Sequence, residues 1–191
     1  MDYVLVVTSL AHIISDRKYR TVSGFFDLIE YEWILGGHPF PLRCRSVFTP
    51  RFDQDIEGQE RSGPLFLLFL NCVYQLIESN KTSFEFTPQL LNMIYNRHFS
   101  TQFGVFFYSC SKDRLKNDIE SNCDSLWEYI ESPKIKIKLM NPIYDPDSLF
   151  KSYFYAHEQA IWSEMFFKSQ FDFHSRSYDC YWEILRELAR K

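Results

Sequence analysis

Glycine and long apolar runs are scarce in this sequence, and their scarcity excludes several classes of protein. Only 6 of the 191 residues are glycine, and neither of the glycine-rich phosphate loops, GxxxxGKS/T or GxGxxG, is present. The most apolar run, Pro64 to Ile77 (PLFLLFLNCVYQLI), is too short to cross a bilayer. The sequence therefore predicts neither a nucleotide site of these kinds nor a membrane span, and the run itself is expected to form a buried helix.

Cysteine, histidine and charge are also distributed without a functional pattern. The 5 cysteines, an odd number, include no Cys-x2-Cys pair, and the 5 histidines give no zinc-binding spacing. Cysteines without a disulfide pattern favour a reducing compartment, so we expect a cytoplasmic protein. Because no metal-binding spacing is present, we expect no metal, and no cofactor is predicted. The net charge of −4 gives no electrostatic basis for binding nucleic acid, and no nucleic-acid partner is predicted.

A cysteine-dependent phosphatase needs the pattern Cys-x5-Arg, in which the thiolate attacks phosphorus while loop amides and the arginine hold the oxygens. The chain contains this spacing in CYWEILR, from Cys180 to Arg186. The intervening residues are bulky and include no glycine, and the stretch has helical periodicity, so its amides would already be bonded within a helix. We therefore assign no catalytic residue, no cofactor-binding residue and no metal ligand in this sequence.

Apolar and aromatic residues, by contrast, are abundant. Hydrophobic residues make up 46% of the chain and aromatic residues 18%, which suits one domain that is mainly α-helical. Helices are predicted for Val7–Ile14, for a segment capped by Thr21 and ended by Gly36-Gly37, for Pro64–Ile77, for Pro88–His98, after the capping box Ser125–Glu128, for Ile161–Phe167 and for Tyr178–Ala189. The polar stretch Arg45–Gly63 is predicted to be a surface loop.

Three short segments are predicted to be extended. Val4–Val6 has the composition of a strand joined directly to the helix that begins at Val7, and SFEF (Ser83–Phe86) is a brief link. In Lys134–Leu139, lysines alternate strictly with apolar residues, which is typical of a half-buried strand. These lysines could make a weak contact with acidic membrane lipid. Lysines also protect exposed strand edges, and that explanation is favoured.

Two local features could carry function but have ordinary structural explanations. His38, in GGHPF, could bind an anion or act as a base from its glycine-flanked turn. The favoured interpretation is a turn histidine bonded to backbone. The stripe Trp162, Met165 and Phe166 is predicted to be core rather than a binding site. The last helix could begin a coiled coil, but the chain stops before three heptads.

The order of several longer motifs resembles the myotubularin family of phosphatases. VTSLAHIISDRKYRTVSGFFDLIEYEWILGGHPF resembles the segment after the family's catalytic loop, with landmarks at Arg20-Thr21, Gly24-Phe25, Glu32-Trp33, Gly37-His38 and Phe40. PLFLLFLNCVYQLIESNKTSFEF, FGVFF, SLWEYI, NPIY and AIWSEMFF resemble later family blocks in the same order. The similarity extends from Val4 to about Phe167, and VTSLA and GHPF lean toward catalytically inactive members of the family.

The resemblance implies the helix-rich C-terminal half of a cysteine-phosphatase-like α/β domain, with few short strands. It places a partial phosphatase domain at 1–170 and a C-terminal helix, the start of a coiled coil, at 171–191. Active members remove the 3-phosphate from phosphatidylinositol 3-phosphate and phosphatidylinositol 3,5-bisphosphate. Their Cys, Asp and Arg lie in a loop between the strand that resembles VLV and the helix that resembles VTSLA. Here the two are joined directly, so no catalytic residue is carried over and only a weak anion site at the helix N-terminus is expected.

Two functions follow from the resemblance. In the favoured one, the protein is a non-catalytic relative that regulates an active myotubularin in a hetero-oligomer, in the cytoplasm and peripherally on endosomal membranes. In the alternative, the chain is a fragment of an active 3-phosphatase whose Cys-x5-Arg loop is missing between Val6 and Val7. A half-domain also exposes apolar surface, so we expect the isolated chain to be poorly soluble or dependent on a partner.

Overall fold

The computed structural model describes residues 2–40, 65–98, 102–106, 111–116, 118–152 and 159–167. Within these ranges most residues are helical, as predicted. The α-helices are α1 (Asp2–Ser15), α2 (Val22–Leu28), α3 (Leu65–Ser79), α4 (Pro88–Arg97), α5 (Ser111–Lys116), α6 (Ile119–Asn122), α7 (Leu126–Glu131), α8 (Pro133–Leu139) and α9 (Ser163–Phe166). The 3-10 helices Arg17–Arg20 and Gly104–Phe106 and the π-helix Ile29–Ile34 complete the helical segments.

Extended pairing among the described residues is limited to two isolated bridges. Phe86 pairs antiparallel with Met140, and Phe103 pairs parallel with Asp124. Of the link SFEF that was predicted to be extended, Phe86 takes part in the first bridge and Ser83 lies in a turn. The prediction of a helix-rich chain with few short strands is therefore confirmed for the described part of the molecule.

The predicted strand at Val4–Val6 is wrong, because this segment belongs to α1. Val6 lies on the same helix face as Ser9 and Ile13, and all three residues are buried. Their spacing of three and four residues places them one above another along a helix. Burial of that face outweighs the preference of β-branched valines for strands.

The predicted strand at Lys134–Leu139 is also wrong, because this segment forms α8. Ser132 occupies the N-cap position and Pro133 the first turn, where a proline has no amide to leave unbonded. The amide of Lys136 donates to the carbonyl of Ser132 at 2.9 Å. Since the segment is not a strand, protection of a sheet edge no longer explains its lysines.

The helix boundaries that were predicted from capping residues are confirmed. The Thr21 hydroxyl accepts a hydrogen bond from the amide of Gly24 at 3.1 Å, at the start of α2. The Ser125 hydroxyl accepts one from the amide of Glu128 at 3.3 Å, at the start of α7. Gly37, with φ of 79°, adopts the left-handed conformation just after the π-helix, as expected for a glycine that ends a helical segment.

The core lies where α1, α2 and the π-helix meet α3. α1 lies against α3, and Phe25 of α2 stacks on Phe69 of α3 with ring centroids 6.1 Å apart. Trp33 of the π-helix contacts Phe66 and Phe69 at centroid distances of 5.0 and 5.2 Å. These four rings are buried, which gives the helices a shared aromatic centre.

The chain divides into two compact units, Met1–Ala160 and Ile161–Lys191. In the second unit α9 lies within the predicted helix Ile161–Phe167, and Trp162 meets Phe166 edge-on with centroids 6.4 Å apart. The predicted loop Arg45–Gly63, the predicted helix Tyr178–Ala189 and the boundary between residues 170 and 171 lie outside the described residues and stay predictions. None of the helices in the described ranges combines the length and apolar character needed to traverse a bilayer.

Candidate functional site

The place where the resemblance puts a catalytic loop, between Val6 and Val7, lies in the interior of α1. Within an α-helix each amide donates to the carbonyl four residues earlier, so the amides around this point are already paired. The helix N-terminus expected at Val7 therefore does not exist, and neither does the weak anion site predicted there. No phosphate-binding loop interrupts α1 between Asp2 and Ser15.

Side chains of the π-helix contact α1 at Thr8, Ser9 and His12. The indole nitrogen of Trp33 donates to Ser9 Oγ at 3.0 Å, and the Thr8 hydroxyl donates to Glu32 Oε2 at 2.9 Å. His12 Nε2 lies 3.4 Å from Glu32 Oε1. The carboxylate, rather than the imidazole, contacts the hydroxyl, so this cluster lacks the nucleophile-to-histidine contact of a hydrolytic triad. We assign it to the positioning of α1.

Arg20 holds the other end of α1. Its guanidinium donates to the carbonyl of Ile13 at 2.8 Å and lies over the ring of Phe150, 4.3 Å from the centroid. A cation near the C-terminal carbonyls of a helix is favourable, and burial lowers the pKa of the guanidinium below its ordinary value. The arginine of the Arg20-Thr21 landmark is thus committed to helix and ring contacts and not to a phosphate.

His38 lies in the predicted turn but is closed to solvent. Its ring meets Trp33 and Phe40 edge-on, at centroid distances of 4.9 and 4.6 Å. Its backbone amide donates to the carbonyl of Trp33 at 2.9 Å, and its carbonyl accepts from the amide of Phe40 at 2.8 Å. This geometry agrees with the interpretation of His38 as a turn histidine and offers no open site for an anion or a substrate.

The described cysteines do not resemble catalytic thiols. Cys72, on α3, is half-buried, and burial raises the pKa of its thiol, which favours the neutral form over the nucleophilic thiolate. Cys123 is also half-buried. Cys44, Cys110 and the Cys180–Arg186 spacing lie outside the described residues. In the described ranges, no three His, Cys, Asp or Glu side chains converge on a point that could hold a metal.

An exposed apolar face on α1 is the feature that the sequence analysis missed. The side of α1 opposite Val6 and Ile13 is also apolar, with Tyr3 71% and Val7 64% exposed. The exposed residues of this α1 outer face are Tyr3, Val4, Val7, Ala11 and Ile14. A helix with an exposed apolar face in addition to its buried one is typical of an element that lies inside a larger structure. Extending the helical period back through Val4 would have revealed the face from sequence.

Replacing Val7 with lysine is expected to keep the fold and to weaken self-association of the chain by about tenfold or more, because a charge buried in an apolar contact is costly. Analytical ultracentrifugation over a range of concentrations measures the change. Leu149→Lys is the matched control, since Leu149 is 98% exposed and is not part of α1. A parent chain that stays monomeric at every concentration contradicts the prediction.

Comparison with known proteins agrees with the resemblance. The model of the myotubularin-like phosphatase domain matches residues 1–115. The chain is 38% identical over 149 residues to myotubularin-related protein 9-like from Bos taurus, and 37% identical over 148 residues to myotubularin-related protein 9 from Homo sapiens. Each alignment covers 78% of this chain and 26% of the relative.

A third relative gives the same result over more of the chain. Myotubularin-related protein 9 from Caenorhabditis elegans is 34% identical over 171 residues, which cover 89% of this chain and 30% of the relative. The chain therefore spans between a quarter and a third of the length of these relatives. Among the landmarks, Thr21 caps α2 at Gly24, Trp33 is a core residue, and Glu32 accepts a hydrogen bond from Thr8 of α1. Because the domain model matches more than half of this chain, the chain belongs to the myotubularin-like phosphatase domain family.

Proposed function

We propose that this chain is a non-catalytic myotubularin relative that regulates an active member in phosphatidylinositol 3-phosphate metabolism. The observation that carries the proposal is the unbroken helix across Val6 and Val7, at the point where active members are expected to hold their Cys-x5-Arg loop. Without an attacking thiolate the chain cannot form a phosphoenzyme. Without the arginine clamp it cannot stabilise the charge of the transferred phosphoryl group.

The α1 outer face supports a role that depends on a partner. An apolar face of this kind on an isolated chain is typical of a surface that a second molecule covers. The proposed partner is an active myotubularin, in a hetero-oligomer located in the cytoplasm and on endosomal membranes. The tie of α1 to Glu32 and Trp33 keeps this face in a fixed orientation, which lowers the ordering cost of binding.

The purified chain alone is expected to release no phosphate from phosphatidylinositol 3-phosphate above background. Loss of the nucleophile and its partners lowers turnover on the order of a million-fold. Mixed with an active myotubularin, the chain is expected to raise phosphate release above that of the active enzyme by itself. Released phosphate is measured at equal lipid and enzyme concentrations.

Heat-denatured chain and an unrelated protein at the same concentration serve as controls for nonspecific effects in this assay. Turnover by the chain alone, after contaminating enzymes are removed, would overturn the proposal. A mixture no more active than the enzyme with unrelated protein would leave the chain without its regulatory role.

The alternative function is that of an active 3-phosphatase whose loop is missing from this chain. Two observations favour it. The chain spans only 26% of the human relative, and α1 carries an exposed apolar face in addition to its buried one, which suits a larger domain. Sequencing the transcript across the codons for Val6 and Val7 separates the two functions. An insert with Cys-x5-Arg favours the enzyme, and an insert without the cysteine, or no insert, favours the non-catalytic relative.

A further inference from the structure

Helix α8 presents an exposed aliphatic side chain between two lysines. Ile137 is 77% exposed, although isoleucine is normally a core residue. Lys134 lies one helical turn before it and Lys138 follows it, and both lysines are exposed. Leu139 faces inward and is buried. The outward face of α8 therefore consists of a cation, an aliphatic group and a second cation.

Helix α5 repeats this arrangement with the same spacing. Leu115 is 78% exposed, Lys112 lies one turn before it, and Lys116 follows it; both lysines are exposed. The two segments read KDRLK and KIKIK. Two short helices thus share the pattern Lys-x-x-aliphatic-Lys, with the aliphatic side chain exposed in both.

The stability of the helices does not account for this pattern. Lysines four residues apart on one face repel each other, and a cation in the first turn, as at Lys112 and Lys134, opposes the helix dipole. Only the lysines near the C-terminal ends, Lys116 and Lys138, are favoured by that dipole. The ion pairs among the described residues include none of these four lysines.

We propose that α5 and α8 bind the surface of an anionic lipid bilayer. At each helix the exposed aliphatic side chain, Leu115 or Ile137, enters the boundary between headgroups and acyl chains, and its two flanking lysines contact anionic headgroups. The exposed aliphatic groups distinguish a bilayer from nucleic acid, which would be contacted by the lysines alone. The binding does not rest on the proposed regulatory role, because it needs only these two helices.

The negative net charge of the chain does not prevent this contact. At physiological salt the Debye length is about 8 Å, so a membrane surface responds to the charges nearest to it. Within α8 the three charged residues, Lys134, Lys136 and Lys138, are all cationic, and α5 carries Lys112, Arg114 and Lys116 against one acidic residue, Asp113. Binding is therefore expected to be weak, local and strongly reduced by added salt.

Sedimentation with vesicles tests the proposal on the full chain. Vesicles of phosphatidylcholine with about a third phosphatidylserine, a fraction that gives a strongly negative surface, are compared with phosphatidylcholine alone. The chain is expected to bind the anionic vesicles and not the neutral ones. Lys134→Gln should lower the partition coefficient by about fivefold, the factor that one lysine near such a surface supplies. Ile137→Ser and Leu115→Ser should each lower it severalfold through lost apolar contact.

Two variants elsewhere on the chain are the matched controls. Lys81→Gln removes a lysine that is exposed but paired with Glu78, and Leu149→Ser removes an aliphatic group that is 98% exposed. Neither should change vesicle binding, and circular dichroism checks that all variants keep their helices. No binding to anionic vesicles overturns the proposal. Vesicle binding that is unchanged by Ile137→Ser and Leu115→Ser also overturns it. So does vesicle binding that duplex DNA competes away and that only the lysine substitution weakens.

The vesicles contain no phosphoinositide and no active myotubularin. A failure of the regulatory role in the phosphate-release assay therefore leaves this result intact. In the same way, a failure to bind these vesicles does not bear on the proposed regulation of an active enzyme.

Discussion

Replacing Trp33 with alanine is expected to lower the free energy of unfolding by about 3–5 kcal/mol. The Trp33 side chain is fully buried and touches the rings of Phe66 and Phe69. Its indole also donates to Ser9, so the substitution leaves a cavity and a buried hydroxyl without its donor. Because domains are stable by only about 5–15 kcal/mol, this is a large part of the total. Urea denaturation followed by circular dichroism measures it.

Tyr31→Ala is the control, since Tyr31 lies on the same π-helix and is 67% exposed. Its effect is expected to stay within about 0.5 kcal/mol. Trp33→Phe keeps an aromatic ring and loses the bond to Ser9, so it should fall between the two. All variants are compared in the Val7→Lys background, which suppresses association through the α1 outer face. Equal effects of Trp33→Ala and Tyr31→Ala would show that this ring is not a core residue.

The sequence predicted the part of this core around Trp33 because helical periodicity and capping residues are local features of the chain. Phe26, Ile29 and Trp33 recur at helical spacing, and Thr21 and Ser125 are capping residues that act within one turn of their own position. Caps and periodicity need no knowledge of the rest of the chain. Elements defined by them were therefore found in the structure.

The two strand predictions failed because short segments carry ambiguous patterns. Alternation in KIKIKL also places Ile135 and Leu139 four residues apart, on one side of a helix. Ser132-Pro133 is an N-terminal signal for the helix that the structure contains. At Val4–Val6 the deciding factor was burial of Val6 against other elements, which no local pattern contains.

The sequence predicted the missing catalytic loop of the candidate site better than it predicted the exposed apolar surfaces. The absence of an interrupting loop before Val7 is visible in the sequence and persists as an unbroken helix. The exposure of Ile137 and Leu115 depends on which side of α8 and α5 the core covers. That choice is made by tertiary packing, so these surfaces became evident only from the fold.

His98, the last residue of the predicted helix Pro88–His98, is the second residue for which we expect a large effect on the free energy of unfolding. Its ring lies among Phe66, Phe106 and Tyr95, with centroid distances of 5.9, 5.9 and 4.8 Å. Its Nδ1 is within hydrogen-bonding distance of the Tyr95 carbonyl. Burial, opposed by the Tyr95 carbonyl and assisted by the nearby His38, lowers the pKa of His98 to about 4.

Because the folded-state pKa lies below the ordinary value of 6.5, the unfolded chain takes up this proton first as the pH falls. The free energy of unfolding is therefore expected to drop by about 2 kcal/mol between pH 7 and pH 5, and to keep dropping until the pH approaches the folded-state pKa. His98→Phe keeps a ring in the aromatic pocket and removes the proton site. Urea denaturation at both pH values should show a smaller drop for the variant by about that amount. Parallel losses in the two proteins would mean that other groups, such as carboxylates, govern the acid sensitivity and that His98 can be protonated in the folded chain without penalty.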